Sequence, residues 1–573
     1  MLRKMFAPLL AAGLVAVTVT AQSPEKIDAA MNAKIRAEGM DRSQIMRIEH
    51  MLTDVYGPRL TGSPNHENAG KWAIKEMESW GMKNGKMEPW NWGHEGWLNE
   101  RADAHVTSPV RMNLIFAVQP WTPSTKGPVT AQAVNLVLPN GAPATWDPNA
   151  SCSGGGRGAN APPPPPGPTQ AELDAYFAQM APKVKGAAVL VGAPCVPDFV
   201  ETEQAKRRDD ATVRAQYNPD PNAPPAAGRG NRGGGGGAGG GAGAPADPTH
   251  LTTQQVNTQL ADFLMKNGAA LRVADARERL GVVRQQSGNG YDSSKNLPGL
   301  LLRNEDYGRI ARILHDGTPV TMDVNIVNHL YPEGKTSYNA VAEIVGTDKA
   351  DEVVMLGGHL DSWHSATGAT DNAIGCAIMM EAVRILQAVG AKPRRTIRVA
   401  LWGGEEEGLL GSLAYVAEHF GTAEQPKEPA FSKLDAYWNI DSGTGRVRGA
   451  SIFGPPEGAK ILAQFLKPFD DLGVYGASAT SSRMTGGTDS TSFNHAGLPG
   501  MGGGQDSIEY NTFTHHTALD TYERILPEDV KKDAILTAAV VYHIAMRDEM
   551  MPRFSKDQMP PLPAGRGGGA GQR

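Results

Sequence analysis

Polar and apolar positions change rhythm twice along the chain. Residues 26–56 carry apolar side chains at helical spacing, with Ile45, Ile48, Met51, Leu52 and Val55 on one face, and predict helix. A Gly/Pro-containing loop follows at 57–64, then a second helix over 65–80 that stops at Gly81. Residues 104–330 hold only short strand-like runs, such as 187–191, between polar and Gly-rich stretches. From about Tyr338 the pattern becomes regular. Continuous apolar runs at 353–356, 396–401 and 436–440 predict strands buried on both faces. They alternate with predicted helices at 373–389, 409–419, 458–469 and 525–547. Such alternation predicts an α/β fold, a mostly parallel, doubly wound sheet with helices on both faces.

The ends and the biased segments divide the chain. Residues 1–21 pair a short basic start with an apolar run and small residues at 19–21, the layout of a cleaved signal peptide. The expected compartment is therefore secreted or periplasmic, with no stable membrane insertion after cleavage. Residues 22–105 and 331–555 are expected to form the main domain, 106–330 a β-rich insert, and 556–573 a disordered tail. The Gly/Pro-rich stretches 151–168 and 218–248 lack the apolar side chains needed to offset chain entropy and are expected to be solvated. A net charge of −6 without a dense Lys/Arg cluster argues against nucleic acid as a partner. Cys152 and Cys195 are available to pair in an oxidising compartment, and Cys376, in an apolar run, reads as a buried free thiol.

The chemistry gathers at strand ends. His359 and Asp361 follow the first regular strand, Asp371 opens the long helix, and Glu405, Glu406 and Glu407 follow the second strand. Asp441 ends the third strand, and His516 lies in the loop before the last helix. Open α/β sheets place ligands beyond the carboxyl ends of their strands. Taken singly, Asp371 is an ordinary helix N-cap and the glutamates an ordinary acidic helix start. Taken jointly, two imidazoles and three carboxylates form a donor set for zinc. Cobalt or manganese would also suit it. Two divalent ions and a bridging hydroxide would leave the cluster near neutral.

The blocks 359–362, 371–375 and 405–412 resemble the signatures of the dinuclear-zinc exopeptidases, closest to the carboxypeptidase Q (plasma glutamate carboxypeptidase-like) branch beside the zinc aminopeptidases. Further support comes from 487–489 and from His515-His516 followed by Asp520. The resemblance implies that Asp371 bridges two zinc ions. His359 and Asp441 would complete one site, Glu406 and His516 the other. It implies Glu405 as general base, taking the proton of a zinc-bridging water, which becomes the attacking hydroxide, and passing it to the leaving amine; it implies Asp361 as the acceptor that fixes the His359 tautomer. His515 or Tyr510 would stabilise the oxyanion, while His364 and Asp489 are expected to be structural. The implied substrate is a short peptide or dipeptide, a homodimer is compatible with the family, and the insert resembles a protease-associated domain. Two other readings share the scaffold: a one-zinc glutaminyl cyclase and a non-catalytic binding protein. Arg483 and Glu407 are candidates for recognising a substrate terminus.

Overall fold

A computed structural model describes residues 24–139, 147, 150–152, 167–199, 207–218, 249–285, 290–484 and 487–562. The expected leader at 1–21 lies outside them, as do most of the two Gly/Pro-rich stretches and of the tail.

Two eight-stranded mixed sheets organise the described residues. The first is built from β1 (Lys83–Asn91), β2 (Thr336–Ile344), β3 (Lys349–His359), β4 (Arg395–Trp402), β5 (Leu434–Asn439), β6 (Val447–Phe453), β7 (Ala477–Thr480) and β8 (Gly500–Gln505). Their spatial order is β1-β2-β4-β3-β5-β8-β6-β7. The four central strands β4, β3, β5 and β8 are parallel, as the buried apolar runs predict. On one side β1, β2 and β4 pair antiparallel, and on the other β6 is antiparallel to β8 and parallel to β7.

Helices cover both faces because the central strands have no polar face. One face is buried under α3 (Ile374–Ala388) and α5 (Pro527–Met546), with α1 (Ala29–Asp41) packed beside them. Met379, Val383, Ile535 and Val540 are fully buried in that core. The opposite face is covered by α4 (Leu410–His419) and a short helix at Ser490–Ala496, where Trp402, Tyr437 and Phe493 pack together. α2 (Pro64–Ser79) starts with Ser63 accepting the His66 N–H and Pro64 in the first turn, a sequence-encoded helix start. The single helix expected at 26–56 is broken after Asp41 and resumes at Ile45.

The second sheet spans Gly96 to Tyr331 and is mixed, with three helices of more than ten residues packed on it: Gln170–Val184, Thr253–Lys266 and Asn304–His315. It therefore carries helical layers in addition to the strands expected there. Cys152 and Cys195 form a disulfide, and Cys376 is a buried free thiol.

Candidate metal centre

β3, β4 and β5 are parallel neighbours, so their carboxyl ends open on one edge of the sheet. His359 is the last residue of β3, and Asp441 follows β5 by two residues. The glutamates leave β4 through a tight turn in which Gly404 has φ +73°. A Cβ there would lie 2.7 Å from the Trp90 ring, so glycine is required on two counts. Asp371 stands in a short non-helical passage before α3, where the Asp371–Asn372 peptide is cis. His516, also at positive φ (62°), comes from the loop that precedes α5.

These chain segments converge on Asp371. Its Oδ1 lies 3.3 Å from His359 Nε2, which is itself 3.3 Å from Asp441 Oδ1. Its Oδ2 lies 3.3 Å from His516 Nε2, which is 2.8 Å from Glu406 Oε2. One carboxylate thus faces two separate donor clusters. His515 joins the second cluster, with Nε2 3.8 Å from Asp371 Oδ2 and its ring stacked on His516 at 3.8 Å. The ligand atoms within each of the triads His359/Asp371/Asp441 and Asp371/His515/His516 lie close enough together to hold one ion.

The electrostatics call for cations. Burial drives the carboxyls of Glu405 and Glu406 well above their usual range; nearby Asp441 raises Glu405 further, and Asp371 does the same for Glu406. Burial alone would depress His359, but Asp441 and Glu405 outweigh it and hold the imidazole well above its ordinary value. Burial also opposes ionisation of Asp371, yet His359, His515 and His516 overcome it and keep this carboxyl low. Glu406 Oε1 is buried with no hydrogen-bond partner. An oxygen- and nitrogen-rich pocket with an unsatisfied carboxylate oxygen fits divalent cations such as zinc.

Asp361 meets His359 through its backbone and not through its carboxylate. The acceptor nearest His359 Nδ1 is the backbone carbonyl of Asp361 at 3.0 Å, whereas its carboxylate is 3.8 Å away. That carboxylate instead accepts the N–H groups of Glu405 and Glu406, both at 3.2 Å, and the Thr61 hydroxyl. The reason is local: the turn after β4 exposes two N–H groups that need an acceptor, and Asp361 is the carboxylate that reaches them.

Tyr510 brings its hydroxyl to 3.5 Å from Asp441 Oδ1 and its ring to 4.9 Å from His515. Burial and the surrounding carboxylates push the phenol far up, so it stays neutral. Burial depresses His515 to about 4, and Arg284 Nη1 points at its Nδ1 from 3.4 Å, which leaves the proton of the neutral ring on Nε2. The other expectations separate. His364 bonds the Val118 carbonyl at 2.7 Å and packs edge-on to Trp97, joining the two sheets. Asp489 is buried, and burial raises its carboxyl to about 7. Arg483 is tied to Glu424 and the His495 carbonyl. Glu407 is buried in the turn, near Asp361.

Arg59 and Arg284 escaped the sequence, and Asp520 was legible only as a motif residue, not as a support. Asp520 accepts the N–H groups of Thr370 (2.6 Å) and Asp371 (3.1 Å) and so holds the Asp371 turn. Arg59, fully buried, donates to the carbonyls of Leu52, Leu360, Thr367 and Gly368. Arg284, from the region of the second sheet, donates to the His515 carbonyl at 2.5 Å, and Gln285 N–H to the His516 carbonyl at 2.6 Å. Apart from Asp520, only the Gly57–Pro64 loop, with Arg59 and Thr61 in it, carried a signal: conformationally special residues flanking polar ones.

Fold and site together define a mixed α/β protein whose parallel centre carries a cluster of carboxylates and imidazoles, a candidate site for divalent cations. Residues 339–541 match the model of peptidase family M28. Carboxypeptidase Q of Mus musculus is 30% identical over 262 residues, which cover 46% of this chain and 53% of the mouse protein. Carboxypeptidase Q of Xenopus laevis is 32% identical over 262 residues, covering 45% of this chain and 52% of its own. The chain thus spans about half the length of these curated relatives. A crystal structure of a peptidase M28 precursor from Shewanella amazonensis has the same fold, with a TM-score of 0.59 at 21% identity, covering 94% of this chain and 99% of that one.

Proposed function

We propose that this protein is a dinuclear-zinc exopeptidase that hydrolyses short peptides or dipeptides, with Asp371 shared by the two ions. The observation that carries this reading is the position of Asp371, one oxygen toward His359 and Asp441 and the other toward His516 and Glu406. The one-zinc cyclase reading has no use for a carboxylate shared between two clusters.

The ions, when bound, would lower the pKa of a water molecule and polarise the scissile carbonyl. Glu405 takes the proton of the attacking water and delivers it to the leaving amine, a task suited to a carboxyl held above its usual range. Asp361 fixes the turn that presents Glu405 and Glu406. The Tyr510 hydroxyl and His515 Nε2–H, neutral donors beside Asp441 and Asp371, would donate to the negative charge developing on the carbonyl oxygen.

A disulfide is at home in an oxidising compartment, which favours a secreted or periplasmic protein. No helix among the described residues is long and apolar enough to cross a membrane.

The test is metal analysis combined with a dipeptide panel in which each terminus is blocked in turn. Two zinc ions per chain and chelator-sensitive hydrolysis are expected. One ion per chain would favour the cyclase, and metal binding without hydrolysis of any peptide would favour a binding protein. The terminus whose blocking stops turnover separates an aminopeptidase from a carboxypeptidase.

A further inference from the structure

A cavity of about 520 Å³ opens beside Asp441 and Tyr510. Most of its lining comes from the strands and loops of the first sheet, but Arg208, Gln216 and Tyr217 also line it. They belong to a segment that lies, in sequence, between strands of the second sheet: residues 207–218, with a helix at Asp210–Tyr217. A piece of the inserted region therefore walls the cavity next to the reactive centre.

The segment is fixed there by charge. Arg448 is fully buried on β6, and it binds Asp506 Oδ2 at 2.8 Å, the Arg208 carbonyl at 2.8 Å and the Asp210 carboxylate. Tyr475 donates to Asp210 Oδ2 at 2.8 Å, and Arg214 lies 3.8 Å above the Tyr475 ring. Arg207 reaches Asp529 Oδ2 at 2.6 Å. The partly exposed pairs Arg448–Asp210, Arg207–Asp529 and Arg208–Asp506 each take one partner from each region.

The floor is matched to the wall. A Cβ on Gly504 would fall 1.8 Å from the Tyr217 hydroxyl oxygen, and one on Gly449 would fall 2.3 Å from its ring. Gly504 of β8 and Gly449 of β6 thus make room for this one aromatic side chain. Tyr217 also lines a second cavity, of about 530 Å³, beside Arg214 and Tyr475, and among the described residues is the one that lines both. Among the described lining residues of the first cavity only Asp441 and Arg208 are charged, and Arg208 spends its guanidinium on Asp506, Gln216 and the carbonyls of Gly504 and Gln505.

We propose that the 207–218 segment is a specificity wall, in which Tyr217 limits the depth of a pocket for an uncharged substrate side chain. The inference rests on the peptidase reading above. It predicts opposite effects for two variants. Tyr217→Ala merges the two cavities and raises kcat/KM for bulky residues over alanine. Gln216→Trp, at an exposed position on the same wall, narrows the pocket and lowers that ratio. A change of roughly tenfold in each direction is the scale on which pocket size discriminates a few methylene groups.

The measurement is kcat/KM of the full zinc-loaded chain for the dipeptides X-Ala and Ala-X, with X as Ala, Leu, Phe or Trp. Tyr217→Phe, which keeps the ring, is expected to keep the wild-type ratio, and thermal midpoints check the fold of each variant. Should Tyr217→Ala fail to fold, the Gln216→Trp ratio decides. Ratios unchanged in both series, with wild type active, overturn the wall alone. Wild type inactive on every dipeptide overturns the peptidase reading and the wall with it.

Discussion

Asp520 holds Asp371 by its backbone: Oδ2 accepts the Asp371 N–H at 3.1 Å while Oδ1 accepts that of Thr370 at 2.6 Å. The residue that faces both donor clusters is thus oriented from a loop about 150 positions away in the chain. Substituting Asp520→Ala leaves two buried N–H groups without their acceptor. Metal affinity is expected to fall roughly 10- to 100-fold, the usual cost of losing a group that orients a ligand. Competition with a chromophoric chelator measures it, and wild-type affinity in the variant would refute the clamp.

Glu405 and Glu406 are neighbours to which the proposed mechanism gives different roles. Glu405→Gln keeps the turn, since the backbone N–H still reaches Asp361, and removes only the proton acceptor. Turnover is expected to drop by about 100-fold or more, with zinc content unchanged. Glu406→Gln is expected instead to lose metal. Comparable zinc loss in both variants would count against the division.

Arg284 carries the second-sheet region into the centre. Its guanidinium holds the His515 carbonyl, and the adjacent Gln285 N–H and Val283 carbonyl bond His516 and Ala518. Arg284→Ala is expected to free residues 515–518, read as faster amide exchange at Ala518 and a roughly tenfold loss of metal affinity. Unaltered exchange at that amide would show the loop to be held by the first-sheet region alone.

The disulfide closes a loop with a sequence separation of 43 residues. Replacing Cys152 and Cys195 by serine is expected to cost roughly 2–4 kcal/mol of stability, read from denaturant unfolding. Cys376, fully buried in α3, should resist thiol reagents in the folded protein. Its rapid labelling in the native state would contradict that packing.

How much of this was legible in the sequence follows from the range of each interaction. The strands at β3, β4 and β5 were readable because central parallel strands need continuous apolar runs. The ligand candidates were readable because they stand at the ends of those strands and within recognisable blocks. The break after Asp41 was not, since the apolar spacing continues across it while the chain turns.

The sequence by itself determined the α/β core, the polar residues at its strand ends and the exopeptidase-like blocks, because each is encoded over a few adjacent residues. Only the tertiary structure decided which oxygen of Asp371 faces which cluster, that the Asp361 carboxylate serves the glutamate turn and not His359, and that Arg59, Asp520 and Arg284 brace the centre. It also decided that residues 207–218 of the inserted region wall the cavity beside Asp441. These are contacts between segments tens to hundreds of residues apart, set by which buried polar groups must find partners once the sheets have packed, and no local pattern records them.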